Sequence, residues 1–284
     1  MTPPLFADLG KLGRDVFQKG YNLGFLKVET TTKNGNDVEL KLLASHNLKT
    51  TNFFGVCDFK YQIPQYGLTF VEKWNTNNVL SSEMTVQDKL INNAKFILNT
   101  SYAPKSSASL KTEYKHNRAR MNTEIRSGGP EGPLFVGAIV FGHEGWFLGY
   151  QTGYLPCGIT SRFKQNLLAI GAEKYDIAVH IIANLADRHF GGNIYHKVTP
   201  ELELAADVSL ATSGESKSKF GLAAKYDLDS KTTVRSKIDS TSSIAVALSH
   251  RITQGLKATV SLAINLQSFY DGNNKLGVGV EYFS

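Results

Sequence analysis

From Phe25 to the C-terminus the chain keeps one hydrophobic period, and that period is two. Its clearest stretch runs Leu256, Ala258, Val260, Leu262, Ile264 and Leu266, interleaved with Lys257, Thr259, Ser261, Ala263 and Asn265. The same alternation recurs over residues 38–44, 177–181, 202–210 and 276–282. Successive side chains of a strand point to opposite sides, so each segment presents one apolar and one polar face. Turn signals stand between the segments: Asn34-Gly35, Tyr66-Gly67, Asn75-Thr76-Asn77-Asn78, Gly191-Gly192 and Asp271-Gly272. About nineteen segments share this stretch, roughly 14 residues for each strand and its turn. Strands of soluble sandwiches run about 5 to 6 residues, whereas a tilted strand that crosses a bilayer needs about 9 to 11.

A sheet this long must hide its edges. No helix-period segment or linker follows residue 24, and the Gly- and Pro-rich run at 128–133 is short enough for a loop. The polar face carries charges along nearly every strand, and no second apolar face is left to pack against. These features predict an all-β membrane protein: a closed 19-stranded transmembrane β-barrel with its apolar face in lipid. A transmembrane helix is excluded, because nothing approaches the ~18 unbroken apolar residues it requires.

Residues 1–24 follow another rule and form the first unit, an amphipathic helix and its glycine hinge; residues 25–284 form the barrel. Leu5, Leu9, Leu12 and Val16 recur at steps of four and three, while Asp8, Lys11, Arg14, Asp15 and Lys19 take other faces. Gly20 and Gly24 follow as a hinge. Nineteen strands enclose more space than side chains can fill, so the short helix is expected inside the pore. There Leu9, Leu12 and Val16 would lie on the wall, with Lys11, Arg14 and Lys19 toward the solutes.

The net charge is +6. On the expected lumen face Lys95, Lys111, Lys115, Arg118, Arg120 and Lys237 join Lys27, Lys41, Lys60, Arg126, Lys225, Arg235 and Lys257. They outnumber acids such as Glu29, Glu113, Glu124, Glu203 and Glu281. A weak preference for anions follows. Glu72 breaks the pattern, because it shares a face with Leu68, Phe70 and Trp74 and so points toward lipid. His143-Glu144-Gly145 is no zinc motif, the His residues are scattered and no phosphate loop is present, so no enzyme is expected. No basic stripe interleaved with aromatics marks a nucleic-acid partner. Cys57 and Cys157 are too few for a disulfide framework, and the start lacks the pattern of a secretory signal.

Several motifs carry a family resemblance. They are Ala7-Asp8-Leu9-Gly10-Lys11, Arg14-Asp15-Val16-Phe17 and Tyr66-Gly67-Leu68-Thr69-Phe70 with Glu72-Lys73-Trp74-Asn75-Thr76. A further signature runs Tyr226, Asp229, Ser230, Thr232, Lys237, Ile238, Asp239, Ser240, Ala245, Val246 and Leu248, with Ser236 departing from it. By these the chain resembles the voltage-dependent anion channels, the eukaryotic mitochondrial porins, over essentially its whole length. The resemblance implies a voltage-gated pore of the mitochondrial outer membrane that passes ATP, ADP, phosphate and small ions. It implies nucleotide contacts at Lys11 and Lys19, and a nicotinamide-nucleotide (NADH) site at Ser243, Ile244, Ala245, Ser261, Leu262, Ala263, Ile264 and Asn265. Ser243 and Asn265 depart from the family's residues there. No resident cofactor is expected. The implied partners are the lipid bilayer, nucleotides and small anions, further copies of the chain, and cytosolic or intermembrane-space proteins. The alternative is a related 19-stranded barrel that imports proteins; a lumen built for basic presequences would be acidic or apolar, and this one is basic.

Overall fold

The computed structural model describes residues 2–35, 37–103, 106–129, 132–156, 162–211, 218–267, 269 and 274–284. Cys157, the turn signal Asp271-Gly272 and the Pro130-Glu131 part of the 128–133 run lie outside them.

Among the described residues the chain forms nineteen strands. The first eight are β1 (Phe25–Asn34), β2 (Val38–Asn47), β3 (Phe53–Ile63), β4 (Leu68–Asn75), β5 (Leu80–Gln87), β6 (Ala94–Tyr102), β7 (Ser107–Lys115) and β8 (Ala119–Ser127). Then follow β9 (Leu134–His143), β10 (Trp146–Leu155), β11 (Arg162–Lys174), β12 (Ile177–Asn184), β13 (His189–Lys197) and β14 (Leu202–Ala211). The last are β15 (Lys219–Asp227), β16 (Thr232–Asp239), β17 (Ser243–Arg251), β18 (Leu256–Asn265) and β19 (Lys275–Phe283). Lengths run from 8 to 13 residues, the range a tilted bilayer-spanning strand needs.

Consecutive strands pair antiparallel, and β1 closes the sheet against β19. That last pairing is parallel, from Leu26↔Val278 to Thr31↔Phe283. An odd number of strands that alternate in direction leaves the first and last running the same way, so the parallel seam follows from the count. Closure leaves no edge.

The apolar series all face outward. Val28, Leu42, Ile181 and Val260 pair within this outer face and stay about half exposed, Ile181 at 55 %. A belt of exposed apolar side chains around a whole barrel has no protein cover, and lipid is the medium that suits it.

The inner face is not charged along nearly every strand, as the sequence pattern had suggested. On β1 to β8 it is ionic. From β9 onward small and apolar residues take many inward positions, among them Ala138 and Val140 on β9, Gly149 on β10, Ala169 on β11, Ala205 on β14 and Ala245 on β17. The turn assignment at Gly191-Gly192 is also corrected. Both residues lie inside β13, where they pair with Ile182 and Ile181, and the reversal comes earlier, over residues 185–188.

Residues 5–19 do not form one helix. Phe6–Asp8 make a single 3-10 turn and Lys11–Gln18 an α-helix, α1. Gly10 separates them at φ +69°, a left-handed conformation that a residue with a Cβ adopts only at a cost.

Candidate functional site

The N-terminal segment lies along the small-residue side of the lumen. Phe6 and Leu9 are buried in a cluster with Ala138, Val140, Phe147 and Ala169. Val16 is buried with Ala178, Tyr195, Ala205 and Ala223, and Phe17 packs at the edge. Leu12 is not on the wall. It is 48 % exposed, because the break at Gly10 turns α1 so that its wall side carries Gly13 and Val16. The wall-facing set is therefore Phe6, Leu9 and Val16, of which the sequence reading had the last two.

Close approach requires the small residues. A Cβ at Gly277 of β19 would overlap the main-chain carbonyl of Asn22, and one at Gly13 would overlap the side-chain amide of Asn193. Backbone and side chain then fasten the segment to the wall. Asn22 N donates to Ser261 Oγ at 3.1 Å, Gly24 N to the Leu276 carbonyl at 3.1 Å, and Leu48 N to the Gly24 carbonyl at 2.9 Å.

Of the basic residues assigned to the solute path, two have local work instead and a third lies off the strands. Lys237 Nζ donates to the Phe17 carbonyl at 2.8 Å, where a cation suits both the open carbonyl and the negative end of α1. The same ammonium stands 4.4 Å from the centre of the Tyr21 ring. Arg14 folds back over the break and donates to the carbonyls of Leu9 and Ala7, which the interrupted helix leaves open. Arg118 is in the exposed turn between β7 and β8, not on a strand, because β7 ends at Lys115 and β8 starts at Ala119. Burial pushes the Tyr21 phenol up to about 12, with the nearby Arg235 guanidinium acting the other way. Its hydroxyl has no hydrogen-bond partner among the described residues.

Lys11 and Lys19 face open space. Each pairs with an acid of its own segment, Lys11 with Asp8 at 3.0 Å and Lys19 with Asp15 at 2.7 Å, and both side chains are more than half exposed. Such pairs are worth about 0 to 1 kcal/mol, so an arriving phosphate can replace the carboxylate at little cost.

Many inner-face cations are paired too. Glu29 holds Lys27 at 2.9 Å and Lys41 at 2.7 Å, Glu124 holds Arg126 at 2.9 Å and Lys111 at 3.8 Å, and Arg120 meets Glu113 at 3.2 Å. Lys225 bridges Glu203 and Asp227, and Lys257 meets Glu281. Lys60, Lys73, Lys95, Lys115, Lys219, Arg235 and Arg251 stand on the same face with no ion pair among the described residues. The excess of positive charge therefore rests on these unpaired groups.

The β17–β18 residues come together as neighbours: Ser243↔Asn265, Ile244↔Ile264 and Ala245↔Ala263. Ser243, Ala245, Ser261, Ala263 and Asn265 face inward, whereas Ile244, Leu262 and Ile264 belong to the outer belt. Ser261 and Ala245 are almost fully buried, and the Asn22 amide already occupies the Ser261 hydroxyl. Glu72 lies on the outer face, opposite Phe59 on β3 and Ser82 on β5, and is exposed.

Sequence reasoning missed His180 and Asn193. His180 is 2 % exposed beneath the Gly10 break, its ring stacked 6.4 Å from that of Phe147. Its Nε2 is 3.4 Å from Glu173 Oε1, within ion-pair range but without hydrogen-bond alignment. The available signal was the run of Gly and Ala at inward positions of β9 to β19, which marks where another segment comes close.

Comparison with known proteins agrees with this geometry. The chain is 37 % identical to the non-selective voltage-gated ion channel VDAC1 of Sus scrofa over 284 residues, covering 99 % of each. It is 36 % identical to VDAC2 of Meleagris gallopavo, over 98 % of this chain and 94 % of that one. It is 34 % identical to the voltage-dependent anion-selective channel of Drosophila melanogaster over 99 % of each. A solved structure of a triple mutant of Rh. blastica porin matches 78 % of this chain and 95 % of its own, with a TM-score of 0.50 and 10 % identity, a likeness of fold alone. The eukaryotic porin family model matches residues 2–277, and the chain belongs to that family.

Proposed function

We propose that this barrel is a voltage-gated, weakly anion-selective diffusion pore of the mitochondrial outer membrane that passes nucleotides, phosphate and small ions. The observation that carries the reading is the lumen itself: an inner face of mixed charge on which many cations are held in ion pairs and a modest number are not, with one N-terminal segment docked along its small-residue side. A lumen with no acids would select strongly; this one, with acids interspersed and cations such as Lys60, Lys73, Lys95, Lys115 and Arg235 unpaired, carries a mild bias. Membership of the eukaryotic porins supports both the channel activity and the mitochondrial membrane. The relatives' names support voltage gating and divide on selectivity, non-selective in one and anion-selective in another, as a small bias would.

Nucleotide phosphates meet Lys11 and Lys19 in transit, each lysine exchanging its own weak partner for the solute. At the β17–β18 wall only the inward side chains reach a solute, so a nicotinamide nucleotide there rests on Ser243 and Asn265. Glu72 faces lipid and takes no part in conduction. No resident cofactor is required for passive diffusion.

Recording from reconstituted protein in planar bilayers under a salt gradient tests the reading. The reversal potential should favour anions weakly, conductance should depend on voltage, and Lys95→Glu should move selectivity toward cations. A cation-favouring open state, or no conductance, overturns it.

A further inference from the structure

A cavity of about 570 Å³ opens at the barrel rim where β1 and β19 meet in parallel and the N-terminal segment enters the wall. Two lysines line it, Lys49 in the β2–β3 loop and Lys275, the first residue of β19, which stands on the lumen side of the rim opposite Ala263, and no carboxylate does among the described residues. Beside them stand Leu23, Phe25, Leu48 and Leu276. Phe25, Leu48 and Leu276 are each at least 40 % exposed. Leu276 opens the outward series that continues through Val278 and Val280, so the apolar part of the cavity runs on into the lipid-facing surface.

The rim here is held in shape. Asn47 Oδ1 accepts from the main-chain N–H groups of Lys49 at 2.9 Å and Thr50 at 3.0 Å, which fixes the loop that carries Lys49. Gly24 is bonded through its N–H to Leu276 and through its carbonyl to Leu48, so both leucines are set on either side of the hinge. The Lys275 stem lies against Gly24, where an added Cβ would sit 3.8 Å from Lys275 Cδ.

We propose that this rim cavity binds the phosphate of an anionic phospholipid between Lys49 and Lys275, with the acyl chains leaving over Leu48 and Leu276. Free phosphate shares the charge, but it would leave four apolar side chains in water. A phospholipid covers them and places its phosphate where the strands end, at the level to which lysines reach from a membrane protein. Each lysine beside an anionic headgroup should contribute about fivefold in affinity. Because Lys275 rests on Gly24, the bound lipid also holds the hinge of the pore-lining segment.

Native mass spectrometry of the full chain, released from mixed micelles of phosphatidylcholine and phosphatidylglycerol, tests this. The wild type should keep one phosphatidylglycerol more than Lys49→Gln/Lys275→Gln, and that molecule should survive an excess of soluble glycerol phosphate. The charge-matched control Lys89→Gln/Lys174→Gln, at the opposite mouth, should keep it as well. Equal retention by the Lys49→Gln/Lys275→Gln variant, or loss of the lipid from the control, would show general charge attraction and overturn the site. Displacement by glycerol phosphate would assign the cavity to soluble phosphates and overturn the lipid. Bilayer conductance of each variant shows that the barrel has folded.

Discussion

Gly13 is the position at which the docked helix has least room, and Gly13→Val should release it. The three atoms closest to an added Cβ are Oδ1, Nδ2 and Cγ of Asn193, all near enough to overlap. Overpacking a close contact costs about 1 to 3 kcal/mol, and the low end applies where, as here, the atoms met are the end of a side chain that can turn aside. Valine regains only a few tenths of a kcal/mol over glycine in helix propensity, so the overlap wins. A net loss of ~1 kcal/mol lowers the ratio of docked to free segment by about fivefold. A nitroxide at position 12, which faces the lumen, in a background with Cys57 and Cys157 replaced, reports the change as a growing mobile component in its electron paramagnetic resonance spectrum. Asn193→Ala removes all three atoms that the valine meets, so the double variant should return toward the wild-type spectrum. An unchanged spectrum in Gly13→Val, or no recovery in the double variant, would refute the docking geometry.

Leu9→Ala should weaken docking by about 2 to 5 kcal/mol while Leu12→Ala costs far less, since only Leu9 is buried; the same spectra compare them, and equal effects would restore Leu12 to the wall. Glu72→Gln should leave conductance unchanged and stabilise the barrel by up to about 3 kcal/mol in lipid, measured by urea unfolding from vesicles, and a change in single-channel current would place Glu72 in the lumen. Tyr21 gives a pH test. Its phenol is held neutral up to about 12 when docked and ionises near 10 when free, so its contribution to docking is fully present below pH 10, weakens from there and is lost as pH rises through 12. Ultraviolet difference titration against Tyr21→Phe should show this one late phenol, and ionisation near 10 would mean that the ring is solvated.

The strands, the lipid-facing series and the outward position of Glu72 were legible because each depends on a local rule. Two neighbouring residues of a strand cannot face the same side, so Leu256 and Lys257 reveal their faces without any knowledge of the partner strand. The strand count carried the parallel seam with it. The errors have one origin as well. Leu12, Arg14 and Lys237 were placed by assuming an unbroken helix and an evenly charged wall. Gly10 could be read as a weak helix former, but its left-handed turn is stabilised only by what the two halves then bury, Phe6 and Leu9 on one patch and Val16 on another. Likewise the separation between Lys237 and Phe17, or between Gly277 and Asn22, is set by closing more than two hundred residues of sheet, and no periodicity within a segment encodes it. By itself the sequence determined a closed transmembrane barrel with an apolar outer face and an amphipathic start on a glycine hinge. The tertiary structure alone decided which stretch of wall that start meets, because barrel closure brings distant small residues opposite it, and which cations are thereby withdrawn from the solute path to hold it there.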